Sequence, residues 1–176
     1  PSQFISYVSC HDDLCLTDRL KVTLPGASVP ELKALQKLAE TAVFTSQGVP
    51  FIFAGDEILR DRKGVVNAYN KPDEINAIDW RNKTAYREVF DYVRGLIAMR
   101  KAHPAFRMGN ADLIRKHLEF IHVPATNVVA FRIKGSPEGK YWIACRDGKI
   151  DLILGLGMIT GNQITVSPRS AMIIHQ

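Results

Sequence analysis

The pair His11 and Asp12 is the first candidate for chemistry, and it directly follows the apolar run Gln3–Ser9. An imidazole beside a carboxylate can bind hydroxyl groups or, with further ligands, a metal ion. A metal-dependent phosphohydrolase would need more histidines and acids close by. The other four histidines lie in or near the second half of the chain, so no metal-ligand set is expected. The structural alternative is a histidine that bonds the neighbouring acid where a strand ends.

A second acidic group and a polar loop follow the apolar run Val49–Ala54. Asp56 and Glu57 indicate either a turn with solvated acids or an acid pair that faces a ligand. The stretch from Arg60 to Trp80 lacks helical or alternating periodicity, and such long loops are often functional. For any single Asn in it, shaping the loop is the simpler interpretation. Amides and carboxylates can hydrogen-bond sugar hydroxyls, and aromatic rings can pack against the C–H faces of a sugar. The loop carries seven such side chains: Asn67, Tyr69, Asn70, Asp73, Asn76, Asp79 and Trp80.

The apolar pattern predicts a βαβ unit that holds these groups. Gln3–Ser9 and Val49–Ala54 are rich in β-branched and aromatic residues, which predicts two short buried strands. Between them, Ser28 and Glu31 match a capping box, and a helix is predicted from there to about Ser46. Parallel strands are normally buried on both faces, and binding groups gather where they end. The apolar residues at helical spacing are Leu32, Leu35, Leu38, Ala39, Ala42 and Val43.

A second amphipathic helix is predicted from Tyr86 to His103, and the sequence then changes character at Pro104. We therefore place a domain boundary there and expect domains at residues 1–104 and 105–176. Short β-rich runs separated by Gly, Pro, Asn and Asp predict an antiparallel sandwich or small barrel. The runs are 118–123, 128–133, 141–145, 151–154, 164–166 and 171–174.

Composition excludes several classes of protein. The chain has 176 residues, of which 46% are hydrophobic and 23% are charged, and this is typical of a globular protein. It is too short for a complete (β/α)₈ barrel, which needs about 250 residues. The net charge of +5 is scattered and mostly carried by residues 104–176, so a nucleic-acid partner is not expected. No apolar run approaches the roughly 20 residues that span a bilayer, so no membrane partner is expected.

The cysteines and the first residues say little about the compartment. Cys10, Cys15 and Cys145 are an odd number without a C-x-x-C pair, so neither a disulfide framework nor a zinc knuckle is indicated, and buried thiols are expected. The sequence starts at Pro1, directly in an apolar run, which suggests an excised piece without its own leader. The compartment is left open.

Four motifs, taken in order, resemble the C-terminal part of type I pullulanases. These are debranching enzymes of the α-amylase family of glycoside hydrolases. The motifs are Tyr7–Asp12, Thr45–Glu57, Asn67–Asp73 and Ile75–Trp80. Ser167–Ile173 also resembles the last strand of that family's β-sandwich domain.

The resemblance implies a fold and two residue roles. Residues 3–104 would be the last two βα units of a (β/α)₈ TIM barrel, followed by an antiparallel C-terminal β-sandwich. His11 and Asp12 would bind hydroxyls of the sugar at the cleavage point, with Asp12 as transition-state stabiliser. The nucleophile and the proton donor of a retaining glycosidase are a separate carboxylate pair about 5–5.5 Å apart. In this family they lie on the fourth and fifth strands, upstream of Pro1, and no cofactor is implied.

The leading interpretation is the C-terminal fragment of a pullulanase-like hydrolase of α-1,6 bonds in α-glucans, inactive by itself. Tyr69, Asn70 and Asp73 are candidate sugar contacts. Asp13 stands where the family would have Asn, and Asp56 stands where Glu is commoner, so fine specificity is less well indicated than the family. The alternative is a non-catalytic carbohydrate-binding or scaffold module.

The resemblance also predicts self-association of the chain. Two parallel strands without their neighbours would expose strand edges and the side chains of Tyr7, Ile52 and Phe53. We therefore expect the isolated chain to associate with itself or to exchange elements.

Overall fold

The computed structural model describes residues 1–122, 128–136, 139–146 and 170–175. Strand β1 (Ile5–Ser6) pairs in parallel with strand β2 (Val49–Pro50). Helices α1 (Leu16–Thr23) and α2 (Val29–Thr45) connect the two strands. The parallel pairing confirms the predicted βαβ unit. Helix α1 is an addition that the apolar pattern did not indicate.

Both parallel strands are shorter and more exposed than the sequence predicts. The ladder between them includes a backbone bond from the Val49 amide to the Phe4 carbonyl oxygen, at 2.8 Å. The side chains of Phe4, Ile5 and Tyr7 are 61%, 56% and 55% exposed. The prediction of a buried strand is therefore wrong for β1, since β2 is its only partner strand among the described residues.

Helix α2 begins at the predicted capping box. The Glu31 amide donates to Ser28 Oγ at 3.4 Å, and the Ser28 amide donates to Glu31 Oε2 at 2.9 Å. The predicted apolar face is confirmed at Leu32, whereas Ala42 is exposed. The buried face of α2 also carries polar side chains, namely Gln36, Glu40, Thr41 and Thr45. The helix therefore packs a mixed surface against the rest of the chain.

Helix α5 (Arg87–Ala102) confirms the second predicted helix and packs against α2. Their shared core consists of Phe44, Tyr92, Val93 and Leu96. The buried Arg100 guanidinium donates to the carbonyl oxygens of Phe44, Ser46 and Gly48, which ties α5 to the link between α2 and β2. Between β2 and α5 lie a 3₁₀ turn (Asp56–Ile58) and the one-turn helices α3 (Asp73–Asn76) and α4 (Asn82–Ala85).

The second half contains a four-stranded antiparallel sheet, which confirms the predicted antiparallel strands for the described runs. The sandwich or small barrel stays a prediction. A 3₁₀ turn (Pro104–Arg107) and helix α6 (Ala111–His117) precede the strands. In chain order and in sheet order these are β3 (Leu118–Ile121), β4 (Val128–Ser136), β5 (Gly139–Arg146) and β6 (Ser170–His175). The predicted runs 151–154 and 164–166 lie outside the described residues.

A small core joins the two halves across residue 104. Phe106, Phe131 and Ile133 belong to one buried cluster, and Met99 of α5 packs against it. Gln47, which follows α2, donates to the Ala105 carbonyl oxygen at 2.8 Å. In the part of the chain that the structure describes, no helix has the length and apolarity to cross a membrane.

Candidate active site

His11 and Asp12 lie in the turn that follows β1, and most of each side chain is exposed to solvent. Each side chain is 80% exposed, and His11 Nε2 lies 3.4 Å from Asp12 Oδ1. The two side chains therefore contact each other, as the structural alternative predicts. Their exposure also leaves polar atoms accessible to a ligand.

A buried arginine fixes the backbone of this turn. Both terminal nitrogens of Arg62 donate to the His11 carbonyl oxygen at 3.0 Å, and Nη2 also donates to the Asp13 carbonyl oxygen at 2.9 Å. Arg62 is only 3% exposed. Asp13 adopts a φ of 59°, which Asp and Asn tolerate better than most residues. A hydrogen bond from Arg19 lowers the pKa of the Asp13 carboxyl group.

The segment that carries Arg62 is itself held by a buried carboxylate on α1. Asp18 accepts hydrogen bonds from the Arg62 amide at 2.7 Å and from the Gly64 amide at 3.0 Å. The Cys15 thiol also donates to Asp18, at 3.0 Å. Burial, followed by the contact with Asp18, raises the pKa of Cys15 to about 12, so this cysteine is a structural thiol. The prediction of a buried thiol is confirmed for Cys15, whereas Cys10 is half-buried and Cys145 lies where side chains are not described.

The other predicted sugar contacts lie on the loop that follows β2. Tyr69 is 83% exposed, and Asn70 and Asp73 are exposed as well. Asn76 Nδ2 donates to the carbonyl oxygens of Ala68 and Lys71, at 2.7 and 2.8 Å, and this closes the loop on itself. The loop is therefore an ordered turn that presents Tyr69, Asn70 and Asp73 outward.

Two arginines beside the Phe53 ring connect this loop to the His11 turn. The guanidinium carbons of Arg60 and Arg62 lie 4.7 and 5.4 Å from the centroid of the Phe53 ring. Arg60 donates to the Asn76 carbonyl oxygen, and Arg62 donates to the His11 turn. Gly55 must be glycine here, because its φ is 101° and a Cβ atom would lie 2.7 Å from the Arg60 side chain. The brace of Phe53, Arg60 and Arg62 thus supports both candidate loops.

Replacing the Arg62 guanidinium by an ammonium group is expected to weaken this brace and destabilise the chain. Arg62→Lys removes the planar fork that reaches two carbonyl oxygens, because an ammonium group cannot match that geometry. We expect a loss of about 2 kcal/mol in the free energy of unfolding, measured by urea denaturation. Arg81→Lys is the matched control, since Arg81 is 91% exposed and pairs with Asp79 on the surface. It should change stability by less than about 0.5 kcal/mol. Equal stabilities for the two variants would contradict the role of Arg62.

The acids that follow β2 do not form a ligand-facing pair. Asp56 is fully buried, accepts a hydrogen bond from Ser9 Oγ, and its carbonyl oxygen accepts from Gln36 Nε2 at 2.8 Å. Glu57 turns back to accept from the Gly55 amide at 2.9 Å. Burial raises the pKa of Asp56 to about 6, against the lowering effect of Ser9. The turn is therefore confirmed, whereas the expectation of solvated acids is wrong for Asp56, because the fold buries its side chain.

A second buried acid, Glu40 of α2, was not singled out from the sequence. It is fully buried, and neither carboxylate oxygen has a hydrogen-bond partner among the described residues. Burial, together with the charges of Asp56 and Glu57, raises its pKa to about 8. Its burial could have been predicted from its position four residues after Gln36, because this places it on the helix face that also carries the buried Val43 and Phe44.

Comparisons with known proteins place the chain in a family. No family profile matches it. The pullulanase of Bacillus subtilis strain 168 is 38% identical over 142 residues, which are 81% of this chain and 20% of that protein. The crystal structure of a Paenibacillus barengoltzii pullulanase matches with a TM-score of 0.89 at 34% identity, over 100% of this chain and 30% of that one. This chain is homologous to the pullulanases. The resemblance drawn from the four sequence motifs is thereby confirmed.

A more distant relative broadens the family to other debranching hydrolases. The isoamylase of a Flavobacterium species is 36% identical over 85 residues, or 48% of this chain and 11% of that protein. Pullulanases and isoamylases are both debranching glycoside hydrolases. The chain spans about a fifth of the length of the Bacillus subtilis pullulanase.

Proposed function

We propose that this pullulanase homologue forms part of a retaining glycoside hydrolase that cleaves α-1,6-glucosidic bonds in pullulan, starch or glycogen-type glucans. Residues 1–104 would supply the last two βα units of its (β/α)₈ barrel, and residues 105–176 its C-terminal antiparallel β-sandwich. Parallel strands in barrels are covered on both faces, whereas β1 exposes apolar side chains. This supports the proposal, because the rest of the barrel would supply the missing cover. The related Paenibacillus enzyme was crystallised with maltohexaose and α-cyclodextrin, which supports an α-glucan substrate.

The observation that carries the proposal is the exposed pair His11 and Asp12 on a turn fixed by Arg62. The turn follows a parallel strand, where barrel enzymes place their substrate-binding groups. In our proposal, His11 binds a sugar hydroxyl and the Asp12 carboxylate stabilises the positive charge of the oxocarbenium-like transition state. Asn70 and Asp73 contact neighbouring hydroxyls, and Tyr69 offers its ring to a sugar face.

The carboxylate pair that cuts the bond belongs, in this proposal, to strands outside the present chain. A retaining mechanism needs a nucleophile and a general acid about 5–5.5 Å apart. Asp56 and Glu40 are unsuited to either role, because both are fully buried. The chain alone is therefore proposed to be inactive.

Pullulan hydrolysis by the whole protein tests this function. The protein expressed from the complete reading frame should release reducing ends from pullulan and should act far less on unbranched amylose, which lacks α-1,6 bonds. The 176-residue chain, assayed in parallel, should release none. A whole protein that is folded and leaves pullulan intact would refute the proposal.

The exposed aromatic side chains support a second candidate function, a carbohydrate-binding module without catalysis. Tyr69 and Trp80 are 83% and 63% exposed, as stacking platforms for sugars are. Calorimetry of the isolated chain with maltooligosaccharides separates the two proposals. Tight binding would favour the module, since two βα units alone should lose most contacts of a barrel subsite.

We expect the isolated chain to self-associate through β1. Ile5 lies on this short strand and is 56% exposed. Ile5→Lys places a charge at the edge and should lower the weight-average mass measured by light scattering toward that of a monomer. Val66→Lys is the control, because Val66 is equally exposed, at 55%, but lies on a loop. A wild-type chain that stays monomeric at all concentrations would contradict this expectation.

A further inference from the structure

Three consecutive side chains in the turn after β1 each offer a metal ligand atom. The Sγ of Cys10, a ring nitrogen of His11 and a carboxylate oxygen of Asp12 all lie within 4.8 Å of one another. We propose that this turn binds one Zn²⁺ ion through these three atoms, with water as the fourth ligand. The sequence predicted no ligand set, because the other histidines lie in or near the second half of the chain and Cys10 was expected to be a buried thiol.

The distances suit a tetrahedral ion after a small adjustment. Zn²⁺ binds sulfur at about 2.3 Å and nitrogen or oxygen at about 2.0–2.2 Å, so two ligand atoms of one ion lie about 3.3–3.6 Å apart. His11 Nε2 and Asp12 Oδ1 already lie 3.4 Å apart. Because the Cys10 sulfur lies within 4.8 Å of both partner atoms, it needs to approach them by at most about 1.2–1.5 Å. Both of its partners are 80% exposed and can adjust their rotamers to meet it.

The backbone under the site is already ordered. Arg62 holds the carbonyl oxygens of His11 and Asp13, so binding an ion does not have to order this turn. The Cys10 thiol points into the turn, where its sulfur lies 3.8 Å from the Asp12 carbonyl oxygen. The neighbouring Asp13 carboxylate is engaged by Arg19 at 2.9 Å and does not compete for the ion.

Binding transfers one proton and no electrons. The Cys10 S–H bond breaks as the sulfur–zinc bond forms, and the proton goes to solvent. The thiolate and the Asp12 carboxylate together balance the two positive charges of the ion. A consequence that rests on the proposed function is inhibition, because the bound ion would occupy the polar atoms of His11 and Asp12 that face the sugar.

Metal titration of the purified chain tests the site directly. Calorimetry should show one Zn²⁺ per chain, and Co²⁺ used as a probe should give a thiolate-to-cobalt absorption band. Cys10→Ser should weaken Zn²⁺ binding by about tenfold or more and abolish the band. His122→Gln, which changes an exposed histidine outside the turn, should leave both unchanged. A cobalt band that persists in Cys10→Ser would overturn the proposal.

A second variant tests the site even if Cys10→Ser fails to fold. Asp12→Asn changes an exposed side chain and keeps the thiol, so it should weaken Zn²⁺ binding while retaining the cobalt band. Unchanged Zn²⁺ affinity in Asp12→Asn would also contradict the proposed ligand set.

An activity assay separates this inference from the proposed function. In the whole protein, a Zn²⁺ concentration close to the wild-type Kd should inhibit pullulan hydrolysis by the wild type and inhibit Cys10→Ser much less, and the activity of Cys10→Ser without zinc should be unchanged. Equal inhibition of both proteins would overturn the inhibitory role of the site. A protein that binds Zn²⁺ through Cys10 but leaves pullulan intact would refute the proposed function and leave the metal site standing.

Discussion

Asp12→Asn in the whole protein is expected to reduce pullulan hydrolysis by about 100- to 1000-fold, mostly through kcat. The amide keeps the size of the side chain and some of its hydrogen bonds, but it cannot offer a negative charge to the developing oxocarbenium ion. Ground-state binding of the glucan should change much less, because sugar hydroxyls can still bond to the amide. Initial rates at several pullulan concentrations separate the effect on kcat from the effect on KM.

The neighbouring residue provides a matched control for this prediction. Asp13→Asn makes the same chemical change one residue along and restores the residue that the pullulanase motif would have. Its left-handed backbone, with a φ of 59°, accepts Asn. Its ion pair with Arg19 is exposed and contributes little to stability. Activity of Asp13→Asn should stay within a few-fold of wild type, and a similarly active Asp12→Asn would remove Asp12 from the mechanism.

The candidate loops could be predicted from the sequence because local patterns define them. The capping box at Ser28 and Glu31 fixes where α2 begins, and the apolar runs before His11 and after Gly48 place two parallel strands side by side. Such patterns depend on residues close together in the chain. The positions of His11 and Asp12 in the turn after β1 followed from them.

The supports of the site could not be predicted, because they join residues far apart in the sequence. Arg62 contacts the turn around His11 across about 50 residues, and no periodicity marks it among the other basic residues of the loop. Its role requires burial against Phe53, which only the tertiary fold creates. The exposure of Phe4 and Ile5 was missed for a related reason, since an apolar run indicates a need for cover and does not say which element provides it.

Glu40→Gln is expected to remove most of the loss of stability that the wild-type chain suffers as the pH rises. In the unfolded chain Glu40 ionises near its ordinary pKa of 4.5, whereas burial and the nearby acids raise its pKa in the folded chain to about 8. Between these values the folded chain keeps a proton that the unfolded chain has lost. Rising pH therefore favours the unfolded state, and the free energy of unfolding falls until the folded carboxyl group also ionises.

The size of the effect follows from the shift in pKa. Each unit corresponds to about 1.4 kcal/mol, so the wild type should lose on the order of 4 kcal/mol between pH 4.5 and pH 8 through this residue. Asp56, whose pKa burial raises to about 6, adds a smaller loss in the lower part of that range. In Glu40→Gln the buried charge never forms. The melting temperature of the variant should therefore exceed that of wild type by about 10 °C at pH 8.5 and nearly match it at pH 5.

A surface acid supplies the control for Glu40→Gln. Glu74 of α3 is exposed, so Glu74→Gln should leave the melting temperature within about 1 °C of wild type at both pH values. The discriminating quantity is the difference between Glu40→Gln and wild type as a function of pH. A constant difference from pH 5 to pH 9 would show that Glu40 gains or loses its proton equally in the folded and unfolded chains. In that case its burial would have to be compensated by a positive charge or a bound cation close to the carboxylate.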